Sequence, residues 1–113
     1  MRLRRWREER RRLGTVSHNA AAPVYRAGQY DLAIPLFRQA IQLGAGSAWP
    51  YAWLAASLWA TTKNREEVLA LLREAAARFE GTGDRAWQTL RHLPEFHELQ
   101  DDPAFRAALT VTC

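Results

Sequence analysis

The chain has 113 residues, of which 48% are hydrophobic and 25% are charged, a composition typical of one small globular domain. No apolar run approaches the ~20 residues of a membrane-spanning helix. No apolar stretch follows the basic N-terminus, so a secretory signal is not expected. The single cysteine, Cys113, excludes an internal disulfide and favours a reducing compartment, so we expect a cytoplasmic protein.

The positive charge is concentrated at the N-terminus. Residues 1–13 contain seven arginines and two glutamates, a net charge of +5, whereas the remaining residues carry a net charge of −1. The pI near 10 therefore describes a basic arm and not a basic surface over the whole molecule. The arginines of this arm are Arg2, Arg4, Arg5, Arg7, Arg10, Arg11 and Arg12.

Helical periodicity recurs along the chain, and alternating strand patterns are nearly absent. The first predicted helix covers residues 2–13 and is ended by Gly14. A second helix is predicted over residues 17–27, closed by Gly28, with Pro23 either kinking it or marking a later start.

The rest of the chain predicts short helices joined by short connections. Ser47, Asn64, Asp84 and Asp102 are candidate N-caps, because short polar side chains can accept a hydrogen bond from the first turn of a helix. Pro103 fits the first turn of the last helix. We expect these helices over residues 30–43, 48–62, 65–80, 85–92 and 103–109, with a short turn over 95–99.

The third predicted helix carries two neighbouring apolar lines, although a surface helix needs only one. Ala33, Phe37 and Ala40 form the first line, and Ile34 and Ile41 form the second. A helix with two apolar lines must pack on two sides. We expect the first line to face the partner within a helix pair and the second line to face the following pair.

The first of these lines is repeated further along the chain. At an offset of 35 residues, it falls on Val68, Leu72 and Ala75. An internal period in the mid-thirties, built from helix pairs, is typical of a stacked helical repeat.

The segment Gly28-x-Tyr30-x-x-Ala33-x3-Phe37-x-x-Ala40 resembles the turn and second helix of the tetratricopeptide repeat family. The resemblance extends over roughly residues 15–92. It implies an all-α fold, a helix-hairpin solenoid of about two and a half repeats with a C-terminal covering helix. The domains expected are an Arg-rich N-terminal helix, 1–14, and a repeat domain, 15–113.

The same resemblance implies a non-catalytic protein–protein interaction module whose first helices line a concave groove. The groove would bind an extended or helical segment with an aromatic or Leu anchor and at least one acidic residue. The expected partner-binding residues are Tyr25, Arg26, Trp53, Ser57, Arg85, Gln88 and His92. The expected lining also includes His18, Ala22, Ala60, Thr61 and Thr89. The alternative for Trp53 is that it packs under the neighbouring repeat without any ligand.

Nothing in the sequence points to an enzyme. His92 and His97 are five residues apart with a proline between them, which is not metal-ligand spacing on one helical face. Cys113 has no evident activating neighbour. We therefore expect no catalytic residues, no metal and no cofactor.

The arm has four interpretations. Its arginines could bind nucleic acid or an anionic membrane surface, with Trp6 stacking on a base, or they could bind an acidic protein. The structural alternative is a helix that covers the first repeat through Leu3, Trp6 and Leu13, with the arginines outward. Since so few repeats leave the ends of the stack uncovered, we also expect self-association or docking on a partner.

Overall fold

A computed structural model describes residues 2–44, 48–78 and 85–109, without the side chains of 2–7, 11, 14, 15 and 85–87. This part of the chain contains helices and turns but no strand, which confirms the predicted all-α class. The helices are α1 (Arg2–Arg26), α2 (Tyr30–Gln42), α3 (Trp49–Thr61), α4 (Arg65–Arg78), α5 (Arg85–Leu90), a 3₁₀ segment (Pro94–Leu99) and α6 (Pro103–Leu109).

Successive helices pack on one another in chain order, as in a stack of helix pairs. α1 packs on α2, α2 on α3 and α3 on α4. α6 packs on α4 with Phe105 and Leu109 fully buried, while the 3₁₀ segment lies against α3. This arrangement confirms the helix-hairpin solenoid with a C-terminal covering helix.

The internal repeat predicted the inner face of each pair correctly. Phe37 and its equivalent Leu72 are fully buried, as are Ala40 and its equivalent Ala75. Ile34 and Ile41 are half-buried and pack against the same core, and their contact with the following pair stays a prediction. Alanines at these positions allow the close approach of neighbouring helices.

The predicted helix end at Gly14 is wrong, because α1 is one continuous helix through both Gly14 and Pro23. A glycine inside a helix costs only about 1 kcal/mol, so it ends a helix only where a left-handed turn is stabilised by its own hydrogen bonds. Those bonds form at Gly28, where φ is +78°. There the amide of Gln29 donates to the carbonyl of Val24 at 3.1 Å, in a Schellman motif.

Residues 2–13 are therefore not a separate helix laid over the first repeat, which corrects the structural interpretation of the arm. They are the first half of the repeat's own first helix, so they cannot fold back over it. Leu13, expected in the contact, is 46% exposed. The side chains of Leu3 and Trp6 lie outside the described residues.

Two predicted N-caps are present. The amide of Glu67 donates to Asn64 Oδ1 at 3.3 Å, and the amide of Ala104 donates to Asp102 Oδ1 at 2.9 Å. The other two candidate caps, Ser47 and Asp84, lie outside the described residues.

Candidate functional site

The indole of Trp53 lies between two rings of α1. Its centroid is 5.1 Å from that of His18 and 5.2 Å from that of Tyr25, in stacked orientations. His18 and Tyr25 are seven residues apart, which places them two turns apart on one face of the helix. Trp53 thus packs across the first repeat and is half-buried. This agrees in part with the alternative in which Trp53 is a packing residue.

Phe37 is a common base for these rings. Its centroid lies 5.6 Å from His18, 6.1 Å from Tyr25 and 6.0 Å from Trp53. Because Phe37 is fully buried, the cluster is fixed to the core of the first repeat. We call His18, Tyr25, Phe37 and Trp53 the groove cluster.

A cation lies beside the indole. The guanidinium carbon of Arg26 is 5.7 Å from the centroid of the Trp53 ring, within the range of a cation–π contact. Arg26 is exposed, whereas Trp53 is half-buried. The two side chains combine an apolar surface with a positive charge, which suits an apolar group that has an acidic neighbour.

One carboxylate joins the 3₁₀ segment to the turn between α1 and α2. The hydroxyls of Tyr25 and Tyr30 donate to the two oxygens of Glu95, at 2.6 and 2.8 Å. Burial, reinforced by the bond to Glu95, raises the pKa of Tyr25 well above its usual range and that of Tyr30 to about 12. Both phenols therefore stay neutral at physiological pH and act as donors.

A second carboxylate of the 3₁₀ segment, three residues after Glu95, binds α3. Trp59 Nε1 donates to Glu98 at 2.8 Å, and Lys63 pairs with the same carboxylate while lying 4.6 Å from the Trp59 ring centroid. The hydrogen bond from Lys63 lowers the pKa of Glu98. The contacts of Glu95 and Glu98 together hold the 3₁₀ segment against α1 and α3.

The expected groove residues do not all reach a common surface. Ser57 is fully buried, and its hydroxyl donates to the carbonyl of Trp53 at 2.8 Å, so it cannot contact a ligand, which corrects its assignment. Tyr25 is only 8% exposed, with its hydroxyl bound to Glu95. Arg26, Gln88 and His92 are exposed. The side chain of Arg85 lies outside the described residues.

The remaining positions of the expected lining are variably accessible. His18, Ala22 and Ala60 are half-buried, and Thr61 and Thr89 are exposed. His18 Nδ1 is buried without a hydrogen-bond partner among the described residues, and burial lowers the pKa of this imidazole. His18 therefore acts as an aromatic packing group in the groove cluster.

From the sequence, Glu95 and Glu98 could be paired carboxylates but are expected as solvated surface groups, which is wrong for Glu95, and the role of the Tyr30 hydroxyl was missed. The sequence identifies Tyr30 only as a position of the repeat motif, and Glu95 lies 65 residues away from it. No local spacing predicts a bond between residues so distant in the chain.

Among the described residues, no three His, Cys, Asp or Glu side chains form a group that could hold a metal ion. No helix in the described ranges is long and apolar enough to cross a membrane.

Comparison with known proteins identifies the architecture at the level of a family. A family model described as tetratricopeptide repeat matches residues 24–93, which is more than half of the chain. No curated protein and no solved structure matches the chain. The matched range extends from the last turn of α1 into the loop after α5, and so contains the stacked helices α2, α3 and α4. The chain belongs to the tetratricopeptide repeat family.

Proposed function

We propose that this chain binds a peptide or a helix of another protein in the groove beside Trp53 and Arg26. Tetratricopeptide repeats generally mediate protein–protein interaction, and the family is a non-catalytic scaffold. The observation that carries the proposal is the exposed Arg26 guanidinium beside the half-buried Trp53 indole.

The cluster geometry supports a rigid anchor site. Trp53 is held on His18, Tyr25 and Phe37, so ordering it on binding costs little side-chain entropy. Rigid aromatic side chains next to arginine are typical of the residues that dominate binding energy at interfaces. An aromatic or Leu side chain of the ligand would pack on the exposed part of Trp53, and an acidic side chain would pair with Arg26.

The proposed polar rim of the site consists of Gln88, His92 and Arg85. Gln88 and His92 are exposed. Tyr25 fixes the position of Trp53, since its ring stacks on the indole while its hydroxyl donates a hydrogen bond to Glu95.

The test is selection of peptides from a random display library on the full chain. We expect enriched peptides to combine an aromatic or Leu residue with Asp or Glu. Arg26→Glu should weaken their binding about tenfold or more, because it places like charges together. Arg73→Glu, the same charge change at an exposed position of α4, is the matched control and should leave binding unchanged.

A folded Trp53→Ala protein that still binds the selected peptides unchanged would overturn the proposal, as would peptides indifferent to Arg26→Glu. Circular dichroism checks that each variant remains folded.

The arm as a site for nucleic acid or an anionic membrane stays an alternative prediction. The two arm arginines with described partners both bond within the chain: Arg10 donates to the carbonyl of Gln42 and Arg12 to Glu9. Phosphate binding by this arm would fall steeply with added salt, whereas groove binding would fall much less.

A further inference from the structure

The outward face of α1 exposes two large apolar side chains. Leu13 is 46% and Val16 58% exposed, whereas Ala21 and Tyr25 of the same helix are buried. Residues three apart are neighbours on a helix surface, so Leu13 and Val16 form one continuous apolar seam. At 3.6 residues per turn, Val16 lies about 200° and Leu13 about 140° around α1 from His18, so the seam faces away from the groove cluster.

The seam is narrow and bounded by polar residues. Glu9, four residues before Leu13, and Asn19, three residues after Val16, are both exposed. Arg12, beside Val16, pairs with Glu9 at 2.7 Å. A helix that lies on a bilayer buries a wide apolar face, and a carboxylate within that face is unfavourable there. A narrow seam with flanking charges is typical of a helix that packs on another helix.

The positive charge near this face of α1 favours a partner helix that is acidic. The first 13 residues carry a net charge of +5, while the rest of the chain carries −1. Two copies packed through this face would bring two such arms together, and like charges at an interface disfavour association. An acidic helix would gain from both the seam and the arm.

We propose that the outward face of α1, formed by Leu13 and Val16 with Arg12 beside them, binds an acidic amphipathic helix of another protein. This contact is independent of the groove and lies on the other side of the helix. Nucleic acid would use the arginines but gain little from Leu13 and Val16, because phosphate recognition is electrostatic. The apolar seam is therefore the feature that separates the two kinds of ligand.

The experiment uses a synthetic acidic helix with Leu spaced by three and four residues and Glu at most other positions. Its binding to the full chain is measured by fluorescence anisotropy, against a peptide of the same composition with the Leu positions scrambled. We expect the patterned peptide to bind about tenfold more tightly than the scrambled one, because only it presents a continuous apolar line.

The double variant Leu13→Gln/Val16→Gln keeps good helix formers at exposed positions and should weaken the patterned peptide about tenfold. Leu32→Gln removes a leucine that is 60% exposed on α2, and as the matched control it should change nothing. Arg12→Glu should also weaken binding and reduce its salt dependence. Binding of duplex DNA, if it occurs, should be unaffected by the double glutamine variant.

Equal binding of both peptides, or binding of the patterned peptide that survives the double glutamine variant, would overturn the proposal. Phosphatidylserine vesicles that bind more tightly than the peptide and lose binding in the double variant would assign the face to a membrane instead. A dimer in sedimentation that the double variant abolishes would assign it to a second copy. Arg26→Glu must leave this binding intact, which separates the outcome from that of the groove.

Discussion

Glu95 links parts of the chain that are far apart in sequence, since it accepts hydrogen bonds from Tyr25 and Tyr30 across 70 and 65 residues. Hydrogen bonds to a charged group contribute more than neutral ones, about 1.5–3 kcal/mol each. The two phenols are partly shielded from water, which strengthens the contact. One residue of the 3₁₀ segment thereby holds both sides of the turn between α1 and α2.

Replacing Glu95 with Ala should lower the free energy of unfolding by about 2–3 kcal/mol, because the Tyr25 hydroxyl loses its partner in a nearly buried position. Urea unfolding measures the change. Asp101→Ala, which removes an exposed carboxylate from the following turn, is the control and should cost less than about 0.5 kcal/mol. Equal effects of the two variants would contradict the bridging role of Glu95.

The two phenols also predict how stability depends on alkaline pH. The pKa of Tyr30 is raised from 10.0 to about 12 in the folded chain, first by burial and then by the bond to Glu95. An unfolded chain loses this proton at lower pH than the folded one, so the stabilisation is complete below about pH 10 and declines toward about pH 12. Tyr25 shifts in the same direction.

Tyr30→Phe should therefore lower the unfolding free energy near neutral pH, since its bond to Glu95 is lost, but make the decline between about pH 10 and pH 12 shallower. Urea midpoints measured across this range give the slope for both proteins. Parallel declines in wild type and variant would show that Tyr30 does not titrate differently in the two states.

Among the individual elements, α1 shows that a glycine ends a helix only where the backbone forms a left-handed turn. Gly14 lies inside the helix, whereas Gly28, with φ at +78°, is the left-handed residue that closes it. The same substitution at these two positions must have opposite effects. Gly14 lies in helical backbone, which alanine also adopts, whereas Gly28 has the positive φ that favours glycine.

Gly14→Ala should raise the free energy of unfolding by about 0.5–1 kcal/mol, because alanine is the better helix former. Gly28→Ala should lower it by about 1 kcal/mol through backbone strain alone, since no atom lies within 4 Å of the added Cβ. Thermal or urea unfolding of both variants tests the pair. A destabilising Gly14→Ala would mean that α1 is interrupted there.

The inner face of α2 allows a similar comparison between a buried and an exposed side chain. Phe37 is the fully buried member of the groove cluster, and Leu32 on the same helix is 60% exposed. Phe37→Ala should cost about 3–5 kcal/mol through lost burial and a cavity. Leu32→Ala should stay within about 0.5 kcal/mol of wild type. Comparable unfolding free energies for the two variants would contradict the described packing of α2.

Across the molecule, one core runs from Ala21 in α1 to Leu109 in α6. In a stacked array each repeat contacts only its neighbours, so stability is close to a sum of local terms. Here the 3₁₀ segment adds a contact between the last part of the described chain and the first repeat, through Glu95. This contact couples the first repeat to the 3₁₀ segment.

We therefore expect the chain to unfold in a single transition. Tryptophan fluorescence, which reports largely on the rings around α3, and circular dichroism, which reports on all helices, should give the same urea midpoint. Phe105→Ala in the buried face of α6 should shift both midpoints together, since the core is continuous. Separate midpoints for the two probes would show that the repeats unfold independently.

Local spacing in the chain was enough to predict the helices α2, α3, α4 and α6, the period that relates them and the buried lines through Phe37 and Leu72. These features depend on intervals of three, four and about 35 residues, which are visible without any tertiary contact. The basic charge of the arm follows from the sequence in the same way. Arg26 was expected beside the groove from the resemblance to the tetratricopeptide repeat family and not from spacing, and its guanidinium lies beside the Trp53 ring.

The assembled fold was needed to show that α1 continues through Gly14, that Ser57 is sealed in the core and that Glu95 binds two tyrosines. A helix end, the burial of a small polar side chain and a bond across the stack each depend on which surfaces meet. These contacts join residues far apart in the chain, and their free energies arise from desolvation and packing that no local pattern records. For the same reason, the exposed seam of Leu13 and Val16 was visible only after α1 had been placed against α2.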